Sequence, residues 1–181
     1  MADHFSLSKS NEWYTPARYL SAVHSLLGGV DVDPASCAAA NRTVRASVYF
    51  TKETDGFSKP WPGRVFLNPP YGKHSGNVSN QQRWARRLIE QYEAGITSEA
   101  VLLVTAATSE RWFQPLWNYP ICFTAHRIAF VNEHGEKVRG NTKGGAFVYM
   151  GPQGERFCEL FSEFGPVVVR AGTWQPVLSA A

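Results

Sequence analysis

Cysteine is scarce in this chain of 181 residues, and Cys37, Cys122 and Cys158 stand far apart. There is no Cys-x-x-Cys pair and the five histidines keep no ligand spacing, so neither a zinc site nor a disulfide framework is offered. Charge is thin too, 18% of residues against 44% hydrophobic, which excludes a disordered chain. A formal net charge of +3 permits a polyanionic partner without demanding one. No apolar run approaches membrane-spanning length and no signal peptide is visible, so the expected compartment is the reduced cytoplasm, without a membrane partner. Glycine is missing from the turn after the first strand-like segment, which reads Asp33-Pro34-Ala35-Ser36; Gly28-Gly29 lies before that segment instead.

What the chain does have is Asn68-Pro69-Pro70-Tyr71-Gly72, directly after the apolar run Val65-Phe66-Leu67. Two prolines cannot continue a strand: each fixes φ and neither has an N–H to donate, so the pair makes a stiff exit turn. Two hydrogen-bond acceptors, Asn68 Oδ1 and the Pro69 carbonyl, and the flat face of Tyr71 then stand at the mouth of a strand. Chemistry on an exocyclic amino group needs such a set. The N6 lone pair of adenine is delocalised into the ring, and acceptors on its two N–H bonds favour a tetrahedral nitrogen that can attack a methyl group. An aromatic ring can stack on a base drawn out of a duplex. Asn and Pro are also ordinary turn residues, and a plain surface turn is the competing reading.

The rest reads as alternating helix and strand. Thr15 caps a helix with Pro16 in its first turn and Leu20, Val23 and Leu27 on one face, closed by Gly28-Gly29. Val30–Val32 is a short buried strand, and a second helix is expected from Pro34 onward. A polar stretch, Lys73–Gln82, leads to a helix marked by Trp84, Leu88 and Tyr92. Ala100–Val104 is the clearest buried strand, followed by a helix near Glu110–Trp117 and strands near Ile121–Thr124 and Arg127–Val131. The last of these is expected to form a hairpin with Ala146–Met150 across a polar run; Phe157–Phe164 gives another helix and Val167–Val169 an edge strand. The expected fold is one α/β domain over residues 1–181, a three-layer Rossmann-like sandwich with a mostly parallel sheet and a late antiparallel hairpin. Ligands of such sheets sit beyond the carboxyl ends of the strands, where both Asp33 and Asn68 fall.

The chain resembles the phage and prophage DNA N6-adenine methyltransferases. The resemblance rests on Asn68–Gly72 together with Asn11-Glu12-Trp13-Tyr14-Thr15-Pro16, Asp31-Val32-Asp33-Pro34-Ala35-Ser36, Tyr49-Phe50-Thr51 leading to Asp55-Gly56-Phe57, and Trp61. It implies S-adenosylmethionine as cofactor, DNA as partner, and direct in-line attack by the amino group of a flipped adenine, with no covalent enzyme intermediate. It makes Asn68, Pro69, Pro70 and Tyr71 the catalytic turn. It also places Trp13, Thr15 and Pro16 near the methionine end of the cofactor, and the family shares the glycine-free turn. Asp33 at a strand end is suited to the methionine ammonium, with Ala35 and Ser36 opening the helix beside the carboxylate; a helix cap is the other reading of Asp31 and Asp33. Asp55 is either a ribose ligand or the first residue of an Asp-Gly turn. Two rivals remain: methylation of RNA adenine or of a protein amide side chain, and an inactive nucleic-acid-binding module of the same fold.

Overall fold

The computed structural model describes residues 13–76 and 78–171. Asn11 and Glu12 of the N-terminal motif and Asn77 of the polar stretch lie outside the described residues. Chain order is α1 (Ala17–Leu27), β1 (Val30–Asp33), α2 (Ala38–Val44), β2 (Ala46–Tyr49), β3 (Gly63–Leu67), β4 (Lys73–Ser75), β5 (Val78–Ser79) and α3 (Asn80–Glu93). There follow β6 (Thr97–Thr105), a 3₁₀ helix at Arg111–Asn118, β7 (Ile121–Phe123), β8 (Gly145–Met150), α4 (Gly154–Phe161) and β9 (Val167–Val168). Seven strands form one sheet in the order β2-β1-β3-β6-β8-β7-β9. The first four run parallel, and β8 joins β6 antiparallel. This is a mixed α/β molecule with a sheet largely parallel at one end, consistent with a Rossmann-like fold.

Alternation along the strands divides the core in two. Phe66, Val101 and Leu103 join a cluster with α1 and α4 side chains, among them Leu20, Val23, Phe157 and Phe161. Val65, Leu67 and Leu102 join a second cluster with Trp84 and Leu88 of α3 and the fully buried Trp61. Trp61 stacks on Trp84 and donates its indole N–H to the Gly56 carbonyl at 2.8 Å, so that piece of the motif is core. Asp31 is no cap. Its carboxylate receives the Arg64 backbone N–H at 2.8 Å and the guanidinium at 2.7 and 2.9 Å, which ties β1 to β3 and holds the acid below its usual range.

Several expected boundaries move. Thr15 does not cap α1; Pro16 occupies the cap position with no side-chain bond, and the Thr15 hydroxyl is used elsewhere. The second helix starts at Ala38 rather than Pro34, capped by Cys37, whose Sγ accepts from Ala40 N at 3.4 Å. Helix α3 starts at Asn80, because Ser79 Oγ accepts from Gln82 N at 3.0 Å; the polar first turn hid the start from the apolar pattern. The late hairpin is made by β7 with β8, not by 127–131. Ile128 and Phe130 are buried alternately as in a strand, but the backbone there makes isolated bridges at Val131, with Tyr14 and Lys137, the second through Val138 N donating to Phe130 O at 2.8 Å.

Candidate active site

Chain order reverses beside β1: β2 follows on one side and β3 on the other. The parallel neighbours β1 and β3 end at Asp33 and Leu67, so the turns that follow, Asp33–Ser36 and Asn68–Tyr71, open into the crevice this reversal creates. A cleft of about 630 Å³, its open mouth included, lies between them. Trp13, Tyr14 and Thr15 wall its third side. That segment is pinned by a two-way backbone bridge, Tyr14 N to Val131 O and Val131 N to Tyr14 O, both 3.0 Å.

Asn68 is held firmly in the lining of the cleft. Its Nδ2 donates to the Trp13 carbonyl at 3.0 Å and to Thr15 Oγ1 at 3.3 Å. A carbonyl only accepts, so the NH₂ end must face Trp13 and the oxygen must face away. Asn68 Oδ1 is buried and has no hydrogen-bond partner among the described residues. An unmatched buried acceptor costs free energy until a donor arrives. Pro69 is buried beside it, and Tyr71 packs on Trp13 at 5.0 Å and edge-on to Phe130 at 5.9 Å. Burial in that aromatic group raises the Tyr71 phenol above its usual range, so it stays neutral.

Asp33 is 3% exposed. Burial pushes its carboxyl up to about 6, against the opposing pull of the Ser36 hydroxyl and the Ala35 N–H, which lies 3.2 Å from Oδ1. Ser36 Oγ is itself buried, and none of its contacts reaches hydrogen-bond geometry. Besides the side-chain bond from Ala35 N to Asp33 Oδ1, two backbone bonds hold the turn: Phe50 N donates to Asp33 O at 3.0 Å and Ser36 N to Phe50 O at 2.8 Å. Asp33 is therefore no cap of α2, which begins five residues later. It is a buried acid, and no Lys or Arg lines its cleft.

Trp13, Thr15, Asp33, Ala35, Ser36 and the Asn68–Tyr71 turn are thus gathered around one cleft. Two residues named with them are not. Pro16 starts α1 outside the lining, and Asp55 is exposed on its turn with φ 47° and does not line the cleft. Gly56 of the same motif matters for space: a Cβ there would overlap the Pro34 carbonyl and crowd Phe50. Cys37, which donates to the Tyr14 hydroxyl at 3.3 Å, and Phe130 were not singled out by the sequence. Only their closeness to Ser36 and the apolar alternation at 128–130 hinted at them. Among the described residues no group of three or more His, Cys, Asp or Glu could hold a metal, and no helix is long and apolar enough to cross a membrane.

Compared with family models, residues 4–164 match that of the DNA N-6-adenine-methyltransferases (Dam). No curated protein matches the chain.

Proposed function

Because the chain belongs to the DNA N-6-adenine-methyltransferase (Dam) family, we propose that its cleft is the site where S-adenosylmethionine and a flipped adenine meet. The single observation that carries this is the buried, partnerless Asn68 Oδ1, held outward by the two bonds of its own amide nitrogen. A donor with two N–H bonds, the adenine N6 amino group, answers both that oxygen and the Pro69 carbonyl next to it. S-adenosylmethionine supplies an electrophilic methyl group on a sulfonium. Asp33 fits the cationic end of that molecule, since it is a buried acid with no cation beside it, and a bound ammonium would restore its charge.

The residues then divide the work. Asn68 Oδ1 and the Pro69 carbonyl accept from N6 as positive charge grows there, which favours the transition state over the ground state. Tyr71, neutral and fixed against Trp13 and Phe130, gives the extruded base a face to stack on, while Pro70 keeps the turn stiff. Trp13 and Thr15 serve twice, lining the cleft and locking the Asn68 amide. We assign the activity to one cytoplasmic domain spanning residues 1–181, of phage or prophage type, built as a three-layer Rossmann-like sandwich; the two core clusters, one with α1 and α4 and one with α3, support that layering.

Incubation with labelled S-adenosylmethionine and DNA, RNA or protein acceptors tests the reading. Label in DNA, recovered as N6-methyladenine, is expected. Label only in RNA or protein, or in none of the three, contradicts it.

A further inference from the structure

A second cleft lies across Tyr71 from the first, about 1080 Å³ with its open mouth. The two share Tyr71 and differ in charge. The first is lined by one carboxylate, Asp33, and by no lysine or arginine. The second is lined by Lys73 and Lys143 against a single carboxylate, Glu110. Both lysines are exposed, and neither is ion-paired among the described residues. They come from separate elements that the fold fixes in place. Lys73 opens β4 directly after the catalytic turn, where Asn80 N donates to Gly72 O at 2.9 Å. Lys143 lies two residues before β8, its N–H held by Asn141 Oδ1 at 3.1 Å and the next carbonyl by Ala106 N at 2.9 Å. Trp112 of the 3₁₀ helix adds a flat apolar wall.

We propose that this second cleft holds the DNA strand carrying the target adenine, with Lys73 and Lys143 on the phosphates flanking the extruded nucleotide. A cation such as a sulfonium or ammonium suits the acidic first cleft, and a polyanion suits the second. A base stacked on Tyr71 joins them. The inference rests on the methyltransferase reading above and extends it to the residues that grip the substrate. It makes Lys73 and Lys143 substrate-positioning residues without a part in the transfer step.

The test uses the full chain and adenine-containing duplex DNA, with methylation by wild type measured alongside binding. DNA binding of wild type, the double variant Lys73→Gln/Lys143→Gln and the control Lys59→Gln, whose residue lies outside both clefts, is titrated from 50 to 200 mM salt. Each lost phosphate contact should reduce the slope of log affinity against log salt by about one, so the double variant should be shallower by about two. Its S-adenosylmethionine affinity by calorimetry should match wild type, and Lys59→Gln should keep the wild-type slope. An unchanged slope in the double variant overturns the proposal while leaving the methyltransferase reading intact. An equal loss of cofactor affinity contradicts the division between the clefts. Wild-type protein that neither binds nor methylates DNA overturns the underlying reading and this proposal with it.

Discussion

An amide has a donating end and an accepting end, and Asn68 uses the first to aim the second. The Trp13 carbonyl and Thr15 Oγ1 take its NH₂, so Oδ1 is already oriented before any ligand is bound. Preorganised acceptors cost no reorganisation during reaction, which is why such groups matter more to turnover than to binding. Asp33 makes the opposite use of burial. Its carboxyl is lifted from 3.8 to about 6, so the folded chain keeps a proton that the unfolded chain has lost between those values. Stability without ligand therefore falls as pH rises from about 4 to 6, by on the order of 2–3 kcal/mol. Asp33→Asn should melt higher than wild type at pH 7 yet bind S-adenosylmethionine more weakly by about 1.5–3 kcal/mol, the range for a hydrogen bond to a charged group. Wild-type affinity should also fall as pH drops below about 6, where Asp33 is neutral. Calorimetry and thermal melts at several pH values check both; an Asp33→Asn protein with unchanged affinity returns the residue to a structural part. The Asn68 turn and Asp33 were legible in sequence because each is a polar residue at the end of an apolar run. The lock on Asn68 was not, since Trp13 and Thr15 lie over fifty residues away and the bond to Trp13 goes to a backbone oxygen that carries no residue signature.

Among the elements, the turn after β1 is shaped largely from outside itself. Phe50 supplies both backbone bonds that shape it, and Gly56 leaves room for the Pro34 carbonyl. Of the two readings of Asp55-Gly56, ribose ligand or Asp-Gly turn, the fold uses the turn, and its glycine is needed for space. Gly56→Ala should cost about 1–3 kcal/mol, as overpacking does, and should weaken S-adenosylmethionine through the displaced turn; a melt and a titration that both match wild type would contradict this. The polar stretch after the Asn68–Tyr71 turn closes as a small hairpin, β4 with β5, and passes straight into α3. In sequence this was only a polar stretch, because short paired strands with exposed side chains leave no apolar alternation to read. Lys73 in that hairpin is exposed, so trypsin should cut there in the free protein and more slowly with cognate DNA and a non-reactive cofactor analogue present. Equal cutting in both states would leave the hairpin a mere connector. The expected strand at 127–131 failed for a different reason: burial alternates there, but its hydrogen bonds go to Tyr14 and Val138 instead of a neighbouring strand.

For the whole molecule, one chain reversal places two turns, Asp33–Ser36 and Asn68–Tyr71, side by side. The Asp31–Arg64 pair braces that reversal at the other end of β1 and β3, and Arg64 also donates to the Leu27 carbonyl at 3.0 Å. Both side chains are about a third exposed, so Arg64→Ala is expected to cost only about 1 kcal/mol. Because the Asp31 pKa is lowered by folding, that loss should be seen at neutral pH and should vanish as pH falls below the carboxylate range. The parallel half of the sheet followed from alternating helix and strand; the position of β8 between β6 and β7 did not, since no local pattern encodes which neighbour a buried strand takes. The central claim is that the free oxygen of Asn68 receives the reacting amino group of adenine. Single-turnover methyl transfer to adenine in duplex DNA, at saturating S-adenosylmethionine, tests it in wild type and Asn68→Ala. The variant is expected to be slower by roughly 10²–10³-fold, as when one oxyanion-hole donor is lost, with cofactor affinity changed far less; a rate near wild type would contradict the account.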